Sequence, residues 1–365
     1  MEITQERLVE ILKTIQYPPK NADIVSLGMV KDLKVEGKKV SFTVTFDSFN
    51  NPHEKPIKQE ATEKIKSAFG SDVEVFVKAV GKVNVDKIKN IKNTGVIVQS
   101  LLKDVKHVVT VSSGKGGVGK STVSVNLAIA LAKTGAKVGL LDADMYGPSV
   151  PRMLDLEGAR PMARKVGGKD KIVPVQRFGI DVISIGFFVK KEDAIIWRGS
   201  MVTNALKQLI TDVDWGELDY LIIDAPPGTG DVQLTIAQNL KGSKGLVVTT
   251  PQDVALNDVR RAVNMFRAKG IDIPVLGIIE NMSWFECEEA PGKKYYIFGK
   301  GGGRKLADEM SLPLLGEIPI LEAIREDGDK GLPTALDDDT PQGKAFNQLA
   351  KNVINELKKY EEVNS

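Results

Sequence analysis

The sequence predicts an α/β protein, a mostly parallel sheet covered by helices, preceded by a small α+β domain. Three observations carry this. From His107 onward, short apolar runs alternate with segments of helical periodicity, the pattern of a parallel sheet buried on both faces. The first of these units holds a glycine-rich turn between its strand and its helix. Ahead of it, residues 39–46 alternate strictly, with Val40, Phe42, Val44 and Phe46 on one face, as a half-buried strand does.

The small domain is assigned to residues 1–80. Residues 4–14 place Leu8, Ile11 and Leu12 at helical spacing. Residues 24–30 and 39–46 read as strands, with Glu36, Gly37 and Lys38 turning the chain between them. Residues 56–69 return to a helical pattern, and 72–80 close with a strand. Residues 81–106 mix lysines and asparagines with short apolar pieces. They read as a solvated linker with a short helix near 96–102.

Residues 107–365 form the second domain. Strands are expected at 107–112, 137–142, 181–185, 219–224, 245–250, 274–280 and 313–318, with helices in the gaps, notably 120–134, 200–212, 253–269 and 341–359. In such a sheet, ligands sit at the carboxyl ends of the strands.

The chemistry-bearing residues fall at those ends. Gly114, Lys115, Gly116, Gly117, Val118, Gly119, Lys120, Ser121 and Thr122 fit the pattern of a phosphate-binding loop, with a strand entering and a helix leaving. Glycines let backbone N–H groups turn inward around phosphate oxygens. The helix N-terminus adds partial positive charge. Lys120 supplies a full charge to the terminal phosphates, and Ser121 offers a hydroxyl to Mg²⁺. The expected ligand is therefore MgATP.

Two acidic positions complete the set. Asp224 ends the apolar run Leu221, Ile222, Ile223, and Asp142 and Asp144 follow Leu140 and Leu141. An acid at the end of a strand beside such a loop holds the Mg²⁺ shell. Asp224 is assigned that place. Asp144 is assigned to orient the attacking water or accept its proton, and Asp142 to stiffen the site.

Composition excludes other classes. Fifty basic residues against 48 acidic ones give a net charge of +2, no electrostatic case for nucleic acid. The single cysteine excludes an internal disulfide framework and fits a reducing compartment. No apolar run approaches the roughly 18 residues of a spanning helix, and no signal peptide is read at the N-terminus, so a soluble cytoplasmic protein without a membrane span is expected. The two histidines, His53 and His107, are too few and too far apart for a metal-ligand pattern.

Taken in order and spacing, GKGGVGKST, DADMYGPS, DYLIIDAPPGTGD and IIENMSWF resemble the Mrp/ApbC-type iron–sulfur cluster carrier ATPases, relatives of the MinD division-site ATPases and the nitrogenase iron protein. The resemblance runs from about residue 107 to about 335. Residues 1–80 resemble the small domain that often precedes the ATPase. The resemblance implies a deviant Walker A loop and a homodimer with ATP near the subunit interface. It implies that Lys115 acts across that interface, that Asn281 contacts adenine, and that the segment holding Pro319 borders it. It further implies iron–sulfur apoproteins as clients.

One position departs from that pattern. Many members carry C-x-x-C after the N-M-S segment; here Cys287 stands alone and Ala290 takes the second place. Two such pairs from two chains can bind a [4Fe–4S] cluster, whereas two copies of Cys287 supply half the thiolates. The other ligands would be carboxylates such as Glu288, small thiols or a client; the alternative is an ordinary loop thiol. Two competing functions follow: a MinD/ParA-like positioning ATPase, whose mark is an amphipathic C-terminal membrane helix, and a P-loop enzyme without cluster chemistry. Residues 341–359 do carry an apolar stripe, Phe346, Leu349, Ala350, Val353, Ile354 and Leu357, which is read as packing against the domain in preference to a membrane face.

Overall fold

The structure, a computed structural model, describes residues 3–46, 53–81, 101–188, 199–287 and 292–364. The chain divides into two compact units, Met1–Asn93 and Thr94–Ser365.

In the first unit, helix α1 (Gln5–Lys13) starts at Thr4, whose hydroxyl accepts from the Arg7 amide, the usual satisfaction of a free first-turn N–H. Strands β1 (Val30–Glu36), β2 (Lys39–Phe46) and β3 (Glu74–Gly81) form one sheet, with helix α2 (Glu54–Phe69) between β2 and β3 in sequence. β2 pairs antiparallel with β1 and parallel with β3. Val40, Phe42, Val44 and Phe46 are all buried, against Leu8, Leu12, Ile57 and Ile65. The strand expected at 24–30 is displaced: β1 begins at Val30. Residues 24–29 turn instead, because the Asp23 carboxylate accepts from the amides of Val25 and Ser26 and Gly28 takes a φ of 64°. An Asx turn of this kind competes with strand pairing for the same backbone donors.

Of the stretch 81–106, residues 82–100, including most of the expected short helix, lie outside the described residues. Lys106 already belongs to the first strand of the second unit. That unit runs β4 (Val105–Ser113), α3 (Lys120–Ala132), β5 (Val138–Asp142), β6 (Ile180–Ser184), α4 (Gly199–Thr211), β7 (Leu218–Asp224), α5 (Asp231–Asn239), β8 (Lys244–Thr249), α6 (Asp253–Arg267), β9 (Val275–Glu286), α7 (Gly302–Met310), β10 (Leu314–Ile320) and α8 (Pro341–Asn364). Short pieces lie between them. β6, β5, β7, β4, β8, β9 and β10 pair in that order, all parallel, and two short antiparallel strands, Val175–Arg177 and Lys294–Tyr295, complete a nine-stranded sheet. Pro319 is buried on β10, a strand beyond β9 where a missing N–H is tolerated.

Successive strand residues alternate between two cores. Val108, Leu141, Leu221 and Ile223 pack into one; Val109, Val111, Leu140 and Ile222 pack into the other. Two covered faces are what the unbroken apolar runs require. α3 is buried nearly all round rather than on one face, because it lies between the sheet and α8. The stripe on α8 is spent there: Phe346, Leu349, Ala350, Val353 and Leu357 are buried in the same core, and Ile354 packs at its edge. No helix among the described residues is long and apolar enough to cross a membrane.

A hairpin was not anticipated: residues 163–166 pair with 169–172, turned by Gly167 and Gly168 at φ 57° and 79°. Two left-handed residues suit a two-residue hairpin turn. β9 also extends six residues beyond the expected end, to Glu286.

Candidate functional site: a phosphate loop facing a carboxylate layer

Residues 114–119 join the carboxyl end of β4 to α3, and Lys120, Ser121 and Thr122 form the first turn of that helix. Two of the loop's glycines are required by geometry. A Cβ on Gly114 would lie 2.3 Å from the Asp258 carbonyl carbon on α6, so the loop could not approach that helix. Gly119 has φ 80°, and a Cβ there would fall 2.1 Å from Nδ2 of Asn281. No side chain caps α3, so its first-turn N–H groups remain available to an anion. Gly116 and Gly117 are exposed, while Val118 is buried beneath the loop. Thr122 uses its carbonyl to accept from Nδ2 of Asn126 at 2.9 Å.

Behind the loop lies a row of polar side chains set by strand register. Asp224 is opposite Asp142, and Asp142 is opposite Ser184, at the ends of β7, β5 and β6. Lys120 Nζ donates to Asp224 Oδ1 at 2.8 Å and lies 3.7 Å from Asp144 Oδ2. Ser121 Oγ donates to Asp224 Oδ2 at 2.6 Å, and Ser124 Oγ donates to Oδ1 at 2.7 Å. Lys120, Ser121, Asp144 and Asp224, chosen from separate parts of the sequence, thus meet in one place. Ser124 and Ser184 were missed. Ser124 could have been found, since it stands one helical turn after Lys120; Ser184 needed the strand order.

Burial dominates the electrostatics. Asp142, Asp144, Asp224 and Lys120 are all buried. Ionised, three carboxylates beside one ammonium leave excess negative charge in a desolvated site, which is costly. Asp142 is accordingly pushed up to about 7, first by burial and then by the neighbouring Asp224, against the hydrogen bond from Ser184. Asp144 is raised by burial as well, with Lys120 opposing. Asp142 also accepts from the amides of Asp144 and Val150, so it holds the start of the loop that carries Asp144. This carboxylate excess fits a divalent cation, with the Ser121 hydroxyl and the Asp224 carboxylate, both hard oxygen donors, as its holders.

The raised Asp142 carboxyl has a measurable consequence. Between the ordinary 3.8 and about 7, the folded chain keeps a proton that the unfolded chain has released. Its contribution to stability is therefore lost as pH rises through that window. Urea unfolding of the nucleotide-free protein at pH 5 and pH 8 should show wild type losing more stability than Asp142→Asn, whose amide cannot ionise. Equal losses in the two proteins would remove Asp142 as the titrating group.

Other expected residues are placed elsewhere. Lys115 is half-buried at the loop's entrance, with Nζ making a long 3.5 Å contact to Oε1 of Gln252. Asn281 is buried and donates from Nδ2 to the Val118 carbonyl at 2.9 Å, packed on the loop itself. Cys287 lies just past the end of β9, half-exposed. No group of three or more His, Cys, Asp or Glu side chains able to hold a metal occurs among the described residues. Glu288 and Ala290 lie outside them. His53 contacts the Tyr17 ring, and His107 on β4 stacks on Tyr220 of the neighbouring strand β7.

A glycine loop on a parallel sheet, with a lysine, a serine and an aspartate converging behind it, defines a P-loop nucleotide-binding protein. Residues 104–354 match the family described as NUBPL iron-transfer P-loop NTPase, and the chain belongs to it. Residues 5–77 match a family described as iron-sulfur cluster assembly protein. The iron-sulfur cluster carrier protein of Synechocystis sp. is 40% identical over 357 residues, covering 97% of this chain and 98% of that one. The protein of the same description from Aquifex aeolicus is 42% identical over 362 residues, covering 94% and 96%. Among solved structures, a nucleotide-binding protein in complex with ADP from Archaeoglobus fulgidus is 38% identical with a TM-score of 0.56, covering 66% of this chain and 92% of that one. The cell division ATPase MinD of Pyrococcus furiosus is 25% identical with a TM-score of 0.50, covering 68% and 98%.

Proposed function

We propose that this chain is an ATP-hydrolysing carrier that holds an iron–sulfur cluster as cargo and delivers it to apoproteins in the cytoplasm. The observation that supports the ATPase half is the convergence of Lys120, Ser121 and Asp224 behind an uncapped helix N-terminus. The carrier half is supported by kinship with proteins described as cluster carriers along nearly the whole chain. The chain is read as an assembly-type domain at its N-terminus, a linker after Gly81, and an ATPase domain whose first strand starts at Val105, two residues ahead of the expected 107.

Each site residue then has a task. Lys120 leaves Asp224 for the β- and γ-phosphates when ATP enters, since phosphate offers it a stronger charge-assisted partner. Residues 114–122 cradle the phosphates through backbone N–H groups. Ser121 and Asp224 hold Mg²⁺, which when bound neutralises charge on the phosphate oxygens. Asp144 orients the attacking water. Asn281 and the Pro319 segment border the adenine. The protein works as a homodimer with a deviant Walker A loop, in which Lys115 exchanges Gln252 for the nucleotide of the facing subunit. Two copies of Cys287 supply thiolates to a [4Fe–4S] cluster, a ligand type such clusters favour, and other donors complete the set. Half the usual thiolates give a weakly held cluster, suited to transfer.

The deciding experiment is anaerobic reconstitution of wild type and Cys287→Ser, with iron and sulfide counted and visible absorption recorded. Wild type should take up a cluster that the variant retains poorly. Equal cluster content in both would remove Cys287. No cluster in either, with ATPase intact, would favour a positioning ATPase.

A further inference from the structure

β9 carries Asn281 near its middle and ends one residue before Cys287. It is not a uniform strand. Met282 has φ 57°, a left-handed conformation rarely held by a bulky residue. Pairing with β10 breaks at the same point: Asn281 is opposite Ile318, but Phe285 is already opposite Ile320. β9 therefore bulges between 281 and 285, as strands do where a side chain must be re-aimed. The bulge is pinned at its base. Ser283 Oγ donates to the Glu280 carbonyl at 3.0 Å, and the buried Glu280 carboxylate accepts from the Gly303 amide at the start of α7.

The bulge rests on the phosphate loop. A Cβ on Gly119 would fall 2.1 Å from Asn281 Nδ2 and 3.7 Å from Met282 Cε, so both bulge residues face the side of the loop where this glycine has no side chain. Asn281 Nδ2 also donates to the Val118 carbonyl at 2.9 Å. That carbonyl and the Gly119 N–H belong to one planar peptide and point in opposite directions. Holding the carbonyl from behind fixes where the Gly119 N–H points in front. Conversely, a phosphate that draws on this N–H turns the carbonyl that Asn281 grips. Strained backbone at such a contact is a signature of a functional constraint.

We infer that Asn281 is a positioning residue that sets the Val118–Gly119 peptide of the phosphate loop and, through the Met282 bulge, makes the surroundings of Cys287 depend on whether that loop is filled. Beyond the bulge, β9 resumes pairing at Phe285 and Glu286 with Tyr295 and Lys294, so a shift at Asn281 is carried by a paired strand to the cysteine. The distance is at most about 20 Å at the usual strand rise, and shorter because the bulge takes up part of the chain. The inference deepens the proposed function by giving nucleotide a route to the cargo thiol, and its meaning for transfer rests on that reading.

Because Cys287 is the single cysteine, alkylation by N-ethylmaleimide reports on one position. The rate is measured on the full chain, free and with MgADP at about 100 times the measured Kd, where a ligand-binding site is essentially filled. The protein concentration is one at which light scattering gives the same mass in both states, so that subunit association is not the cause. Wild type should change rate by at least about threefold on adding MgADP, the low end of coupling through packed networks. Asn281→Ala and Met282→Gly should lose most of that response. An unchanged wild-type rate overturns the inference, as does a response of wild-type size in Asn281→Ala. Should Asn281→Ala fail to fold or bind MgADP, Met282→Gly decides, since glycine tolerates φ 57° and so permits folding, yet lets the bulge flex and uncouples Asn281 from the strand beyond it; a full response there is equally fatal. Alkylation needs no cluster, so failure here is distinct from failure of the reconstitution experiment.

Discussion

Lys120→Ala loses MgATP binding by about a thousandfold, roughly 4 kcal/mol, the cost of stripping one partner from a buried charge set. Lys120 is buried, and among the described residues it is the cation ion-paired to both Asp144 and Asp224. Its loss acts twice. The phosphates lose the full positive charge that the backbone N–H groups of the loop cannot replace. Asp224 keeps its hydrogen bonds from Ser121 and Ser124 but loses its counter-charge, so an entering polyphosphate meets unbalanced carboxylates. Titration calorimetry with MgATP measures the effect, with thermal unfolding to show that the variant is folded. Unchanged affinity in a folded Lys120→Ala would overturn the assignment of the loop.

The parts of this site legible in the sequence are those whose chemistry is local. Residues 114–122 must turn tightly between a strand and a helix, and glycines at 114 and 119 are forced by close approaches to Asp258 and Asn281. Asp142 and Asp224 end apolar runs, and such runs in an α/β chain are strands with ligand-facing carboxyl ends. That Lys120 bridges toward both Asp224 and Asp144 was not legible. It depends on β7 lying between β4 and β5, and strand order is set by how helices cover the sheet. Gln252 had no signal either, since the β8–α6 loop meets Lys115 only in the assembled fold.

The misreading at 24–30 has a different cause. Its apolar residues, Ile24, Val25, Leu27, Met29 and Val30, suit a strand, and Ile24 and Met29 are indeed buried. Yet Asp23 takes the Val25 and Ser26 amides. A side chain two residues away thereby outcompeted β-propensity, which is a weak preference compared with a satisfied backbone donor. Asn281 adds a bond that no motif encodes: beside the adenine contact the resemblance implies, its Nδ2 donates to the Val118 carbonyl and lies against Gly119.

Lys115→Ala should leave MgATP binding within a few-fold of wild type and lower turnover by about a hundredfold, the usual loss when one preorganised charge is taken from a developing transition state. In this chain Lys115 has a weak partner, a 3.5 Å contact to the neutral Gln252 amide, and no carboxylate pairs with it among the described residues. A cation held so lightly at the loop's entrance is free to be recruited, and the proposed recruiter is the nucleotide of the facing subunit. A mixing experiment separates that role from one within the same chain. Asp144→Asn is expected to bind MgATP and hydrolyse it poorly, because its own site lacks the water-orienting carboxylate. In a mixed dimer of Lys115→Ala and Asp144→Asn, the site on the Lys115→Ala chain keeps its own Asp144 and receives Lys115 from the partner. Steady-state phosphate release from the mixture should therefore exceed the sum of the two variants measured alone. A strictly additive rate, in a sample shown by mass to contain mixed dimers, would place Lys115 in its own subunit's site and end the cross-subunit reading.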